Sequence, residues 1–502
     1  MRTWRRAPLA AAAGAALLVA GTACTAEEQP PDRPDDSPRP LPTAFEGEPP
    51  PGVGGEPLRH LHGPGGEGPA ILDDEMGVRI SSVGDAFLIS SNSQERHLLL
   101  GAEDGATLWQ GKRHIQRFGA DTRGSPVLIV DGRGGGTRVI GDDGETVWSG
   151  SGPRETFIGG AVVRRPADWS AEDPYGDYTV LQPGGAKRWE FTFAAPEEEP
   201  TPTASPEDGA PDPDRNGVPV AARDGVLLLD DGTGLLQARG IGDDDAGELL
   251  WSFSGDDPGL AGGTDVQRPR PQVVGIYEVP AHQDGGGADT PGASPESPPP
   301  TPSDTPPSAS PEAGEGTASA SPGEGTAEEP APPRVLVRWS VPEEPSVLSL
   351  HDLHSGELLW SFSEPGANPP SDEFSPPPLP GALYESRTGT LLLPQATGET
   401  PLIAVDLAAG EVRWTFEDEF EQAISPALTL GGYIYGDTRG AGDTPAGQVV
   451  LAAEDKEIAA EGLDAYVEAA TDEGYSIVVS DRQRFVFPPA NGPADGSASP
   501  TG

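Results

Sequence analysis

Gly247-Glu248-Leu249-Leu250-Trp251-Ser252-Phe253-Ser254 recurs letter for letter as Gly356-Glu357-Leu358-Leu359-Trp360-Ser361-Phe362-Ser363. Reduced to Gly-x-x-x-Trp, the same signal appears in Gly105 with Trp109, Gly144 with Trp148, Gly185 with Trp189 and Gly410 with Trp414. Six of the nine tryptophans therefore follow a glycine by four residues, which marks a chain built of repeats.

One copy has a direct physical reading. Asp352, His354, Ser355 and Gly356 are turn formers, and the glycine supplies the positive φ that a tight hairpin needs. After it, Leu358, Trp360 and Phe362 alternate with Glu357, Leu359 and Ser361, a period of two that predicts a strand with one apolar face. Short β-rich runs at 347–350 and 402–405 precede the turns. The unit is strand, turn with Gly, strand with Trp. One large ring at the same place in each unit predicts a contact repeated between neighbours, with an indole N–H that needs an acceptor when enclosed.

The chain carries 32 basic against 81 acidic residues, a net charge of −49. Phosphate binding needs a basic surface, so no nucleic-acid partner is expected. At the N-terminus Arg2, Arg5 and Arg6 precede an apolar run over 7–23, a signal-peptide pattern too short for a membrane span. It ends at Gly21-Thr22-Ala23-Cys24, and Cys24 is the only cysteine. Small residues leading to a single Cys resemble a bacterial lipobox, with cleavage between Ala23 and Cys24 and a lipid on Cys24. Gly21 stands where Leu or Val is commonest. The expected location is therefore the outer face of the cell membrane. Arg5-Arg6 matches the wider twin-arginine motif poorly. Without a second cysteine, the exported domain contains no disulfide.

The order along the chain follows. Residues 1–24 form the signal peptide, and 25–66 read as an acidic, Pro-rich disordered tether. Residues 67–487 carry the repeats, with disordered insertions at about 194–216 and 281–333, and 488–502 form a tail of the same composition. The folded remainder, about 345 residues, gives about 43 per unit for eight units and about 49 for seven. The Trp-to-Trp spacings of 39 and 41 (109 to 148 to 189) favour eight. Three runs at 465–470, 475–479 and 484–487 lack a fourth strand, and 70–72 lacks a place. A last unit closed by that N-terminal run accounts for both. The expected fold is all-β: a propeller of eight four-stranded antiparallel blades, with seven as the alternative. Closure leaves only short, protected sheet edges, and a monomer is expected.

Over residues of about 70 to 487 the motif resembles the pyrroloquinoline-quinone-type β-propeller repeat. In that family a strand ends in Asp, the turn carries Gly, and Trp follows in the outer strand. Asp352-Gly356-Trp360 and Asp406-Gly410-Trp414 match it best. Proteins with this repeat include calcium- and quinone-binding dehydrogenases. They also include non-enzymatic lipoproteins, such as the propeller of the outer-membrane barrel-assembly machinery. The dehydrogenases commonly carry a vicinal disulfide beside the cofactor, which one cysteine cannot form. Neither the quinone nor calcium is therefore expected.

Other signals point to turns rather than chemistry. His60-Leu61-His62 falls in the expected tether, and His351 with His354 flanks a repeat turn as solvent-facing polar residues, so no zinc site is expected. Asp142-Asp143-Gly144-Glu145 and Asp243-Asp244-Asp245 lack the ordered spacing of a calcium loop and precede Gly-x-x-x-Trp, where turn chemistry explains them. Gly132-Arg133-Gly134-Gly135-Gly136 opens no helix, so it reads as a hairpin loop, not a dinucleotide site. No Gly-x-Ser-x-Gly elbow occurs. The expectation is a non-enzymatic, membrane-anchored propeller that binds an envelope protein or ligand through the loops on one face. The alternative is a quinone-dependent dehydrogenase or another enzyme using the central channel.

Overall fold

A computed structural model describes residues 44–62, 68–93, 96–195, 215–260, 268–279, 331–370, 382–395, 402–417, 419–438 and 447–490. They form eight four-stranded antiparallel sheets, each with its strands in simple up-and-down order. Blade 1 spans 78–111, blade 2 115–149, blade 3 155–193, blade 4 218–254, blade 5 270–363, blade 6 383–415 and blade 7 424–460. Blade 8 joins 465–487 to the strand Arg59–His62. Strands are called A to D outward from the channel. The A strands of blades 3, 4 and 5 touch in turn, as do those of blades 6, 7 and 8, and Val78–Val83 meets Ala465–Ala470 where blade 8 closes on blade 1. Eight is the number that the tryptophan spacing favoured.

Stacking explains the sequence of the inner strands. A blade has a neighbour on both faces, so its B strand reads as a continuous apolar run rather than an alternating one. Val226–Asp230 is buried at four of its five positions. Val226 and Leu228 pack on Val335, Val337 and Trp339 of blade 5. Leu227 and Leu229, pointing the other way, pack on Val163 and Val180 of blade 3. Period two thus serves two different cores from one strand.

The D strands carry the repeated tryptophans. Trp251 Nε1 donates to Leu353 O at 2.8 Å, Trp360 Nε1 to Leu407 O at 3.0 Å, and Trp414 Nε1 to Ala453 O at 3.0 Å. Each acceptor belongs to the next blade and lies three residues before its turn residue, Gly356, Gly410 or Lys456. The turn glycines Gly105, Gly144, Gly185, Gly247, Gly356 and Gly410 all have φ between 72° and 86°. At Gly356 and Gly410 a Cβ would overlap the ring of Trp251 or Trp360, so a side chain is refused both by backbone conformation and by the neighbouring blade. Trp148 packs on Phe157, Val162 and Leu181 of blade 3. Trp109 lies against Leu128, Val130 and Ile140 of blade 2. Trp189 sits in the core between blades 3 and 4, beneath Arg239.

Alternation in the D strand is interrupted just before the tryptophan. Trp360 pairs with Leu350 and Leu358 with His351, so Leu359 is an extra residue, a bulge. The bulged Leu359 is 39% exposed; in the other copy Leu250 is the extra residue, and its neighbour Leu249 is 38% exposed. The apolar face expected from three alternating residues is carried by Trp and Phe.

The closing strand is not the one expected. Residues Ala70–Asp73 form a 3-10 turn whose Ile71 and Leu72 fill the core of blade 1. The strand that completes blade 8 is Arg59–His62, inside the expected tether; it pairs antiparallel with Gln483–Phe487. Upstream of that strand, Phe45 packs edge-on against Phe485 and Phe487 at 5.5 and 5.1 Å. Val53 bridges to Pro489, so the first residues of the expected tail also belong to the propeller. A D strand needs little apolar content, because only its inner face is covered; Leu61 alone supplies it here. Residues 25–43, nearly all of 194–216 and 281–333, and 491–502 lie outside the described residues.

Candidate functional site

Up-and-down topology divides the ring into two faces. A–B and C–D hairpins lie on one, the turn face; B–C hairpins and the D–A links between blades lie on the other, the loop face. The turn face is mostly tight. Val83 to Ala86, Ile158 to Ala161 and Leu430 to Tyr433 are each joined by two residues. The exception is the connection from Glu278 to Pro333 in blade 5. The other long connections, Phe193 to Val218, Ser254 to Arg270 and Ser363 to Leu383, leave from the loop face.

The turn motif is structural. Asp352 Oδ1 accepts from the His354 and Ser355 amides at 3.1 and 2.7 Å, and Asp406 Oδ1 from the Ala408 and Ala409 amides at 2.8 and 2.9 Å. Burial pushes the Asp352 carboxyl up, but the Ser355 and His354 donors outweigh it and hold it below its ordinary value. Asp143 closes its turn through the Glu145 amide at 2.8 Å. Gly132 to Gly136 is a B–C hairpin containing a single 3-10 turn, Arg133–Gly135.

The histidines depart from expectation. His351 is not solvent-facing: it is fully buried, with its ring 6.1 Å from that of Trp251 and 4.4 Å from that of Phe253. Its Nε2 lies 2.8 Å from Ser349 Oγ, which accepts from Trp339 Nε1 at 2.7 Å. Burial holds its pKa down at about 4. No substrate reaches a Ser–His pair enclosed in this way. His60 stands in the closing strand, its Nε2 2.8 Å from Gln483 Oε1. Among the described residues no group of three His, Cys, Asp or Glu is arranged to hold a metal ion. Ala23 and Cys24 lie outside the described residues.

Two of the cavities among the described residues have opposite electrostatics. One, of about 480 Å³, lies at the turn face among the A strands of blades 6 to 8 and includes Glu385, Arg387, Asp472 and Glu473. Burial raises the Asp472 carboxyl, and Asp85 and Asp142 raise it further; Asp85 is the first cause for Glu473. The other, of about 530 Å³, lies at the loop face where the A strands of blades 2, 3 and 4 run side by side, and includes Arg117, Arg165, Thr137 and Thr156. Arg117 and Arg165 are 48 positions apart and no motif joins them. One signal was present: residues 112–165 hold nine basic and six acidic residues in a chain of net charge −49.

No protein-family model matches the chain, and no curated protein matches it. Among solved structures it is similar to BamB from Moraxella catarrhalis, at 12% identity over 82% of this chain and 96% of that one, with a TM-score of 0.36. It is also similar to the quinohemoprotein alcohol dehydrogenase from Comamonas testosteroni, at 12% identity, 84% and 76% coverage and a TM-score of 0.37. A europium-containing methanol dehydrogenase gives 11% identity, 80% and 82% coverage and a TM-score of 0.38. Likeness at this level selects no activity. The propeller itself rests on the chain's own eight sheets.

Proposed function

We propose that the chain is a non-enzymatic scaffold, anchored to the outer face of the membrane through Cys24, that docks a protein partner on its loop face. The observation that carries this reading is the allocation of the repeated residues. Trp251, Trp360 and Trp414 are bound to the next blade, and Asp352 and Asp406 to their own turns, so the signature residues build the ring. Binding then falls to the segments that vary from blade to blade, and most of the longer ones leave from the loop face.

The test has three parts. A photo-crosslinking residue at Arg133 or Pro153 on the loop face should capture a discrete partner in intact cells, whereas one at His354 on the turn face should not. Equal capture from both faces would count against the assignment. Adding quinone and calcium should give no dye reduction; turnover would make the protein a dehydrogenase. Cys24→Ala should abolish lipid labelling, and retained labelling would remove the anchor.

A further inference from the structure

We propose that the loop-face cavity between blades 2, 3 and 4 binds a small organic anion, whose carboxylate or phosphate is held by Arg117 and Arg165. The inference concerns a small ligand and does not depend on the protein-docking reading. It starts from an imbalance. Acidic residues outnumber basic ones 81 to 32 over the chain, yet two arginines line one cavity and neither is ion-paired to a described residue. Arg117 Nη2 donates to the Phe157 carbonyl at 2.7 Å. The Arg165 guanidinium lies 3.9 Å from the centroid of the Trp169 ring, a contact that orients the fork without neutralising it. The one carboxylate among the described residues lining it, Glu155, is held by Arg164 at 2.7 Å and by the Ser151 amide at 2.8 Å.

Elsewhere in the ring several buried or half-buried arginines do have acids, although Arg59 at the closing seam is held by carbonyls. Arg338 meets Glu364, Arg413 meets Asp406, and Arg484 meets Glu468. Burial lowers the affinity of Arg117 and Arg165 for their protons, and for Arg165 the charge of Arg117 adds to that effect. Both remain cationic, since a guanidinium does not deprotonate in proteins. Two adjacent, partly desolvated cations repel, and an oxyanion between them removes that repulsion through paired N–H···O bonds. Thr137 and Thr156 also line the space, whose wall is mostly polar, with Val220 on its apolar side. At about 530 Å³ the cavity exceeds the needs of a bare inorganic ion and falls in the range of small-ligand sites. The class that fits is an oxyanion carried on a small organic body.

Calorimetric titration of the full chain with benzoate, phenyl phosphate, inorganic phosphate and benzylammonium tests this. Either aryl anion should bind with an affinity that falls as salt is raised, and should raise the melting temperature. Benzylammonium should do neither. Arg117→Gln and Arg165→Gln should each weaken binding at least tenfold, whereas Arg138→Gln, the same charge change outside the cavity, should not. The two aryl probes decide between carboxylate and phosphate, and inorganic phosphate shows whether the organic body contributes. Undiminished binding in the Arg117→Gln/Arg165→Gln double variant would overturn the site. So would equal binding of benzylammonium, or no binding of any anion at millimolar concentration.

Discussion

Arg59 Nη2 donates to the carbonyl of Ala102 at 2.6 Å, across the seam where the first and last blades meet. Ala102 stands three residues before Gly105, as Leu353 does before Gly356 and Leu407 before Gly410. Those carbonyls accept an indole N–H from the preceding blade. In the closing blade an arginine occupies the tryptophan's place, and it also reaches Gly101 O at 3.1 Å and Glu103 O at 2.8 Å. The seam keeps the interblade contact while changing the side chain that makes it.

Arg59→Ala should therefore loosen the ring at one place. It removes three charge-assisted bonds to carbonyls, for an expected loss of about 1.5–3 kcal/mol in urea unfolding. Arg59→Lys keeps the charge without the fork and should fall between the two. An unchanged urea midpoint in Arg59→Ala would show that the contact does not hold the seam.

The turn glycines offer a controlled comparison. Gly356 and Gly389 have φ of 72° and 69°, but a Cβ at Gly356 overlaps Trp251 while one at Gly389 meets open space. Gly389→Ala should cost only the left-handed backbone conformation, about 1–2 kcal/mol. Gly356→Ala adds a clash worth roughly 1–3 kcal/mol more and should disturb Trp251, read as a shift in tryptophan emission. Equal losses would remove the packing role of Gly356.

What could be read beforehand follows from these contacts. The glycine-to-tryptophan spacing is written into every blade that uses it, so blade number and the D-strand position were legible. The closing strand was not, because Arg59 does not look like a tryptophan and Leu61 is its only core residue. His351 departs from the sequence expectation for a related reason: a polar residue enters a core when Ser349 and the Gly356 carbonyl satisfy its ring, and sequence shows no such partners. Arg117 and Arg165 meet only through the curvature of the ring.

A buried ion pair in blade 5 also reaches blade 6 through one carbonyl. Arg338 Nη2 lies 2.7 Å from Glu364 Oε1 and 2.8 Å from Pro394 O, with both side chains buried. Burial keeps the Glu364 carboxyl above its ordinary value although Arg338 draws it down. Glu364→Ala, which strands the guanidinium, should cost about 3–5 kcal/mol. Replacing both by Met and Leu should recover most of that loss. A double variant no more stable than the single one would show that the pair is needed as a pair.

The neutral, enclosed His351 sets the sign of one acid transition. Burial holds its pKa at about 4 against an ordinary 6.5, so between those values the unfolded chain binds the extra proton and the folded chain does not. Its contribution is fully present above pH 6.5 and is lost as the pH falls toward 4, by roughly 3 kcal/mol. Buried carboxyls act in the opposite sense: Asp230, pushed up to about 6 mainly by burial, binds its proton more tightly when folded and adds stability as the pH falls through 6. The wild-type curve mixes the two. The difference between wild type and His351→Gln isolates the histidine, because the carboxyls are common to both. His351→Gln should be the less stable at pH 7, having lost its fit against Trp251 and Phe253. The gap should shrink steadily between pH 6.5 and 4. Parallel curves over that interval, measured by urea unfolding at each pH, would mean that His351 takes up its proton in the folded ring.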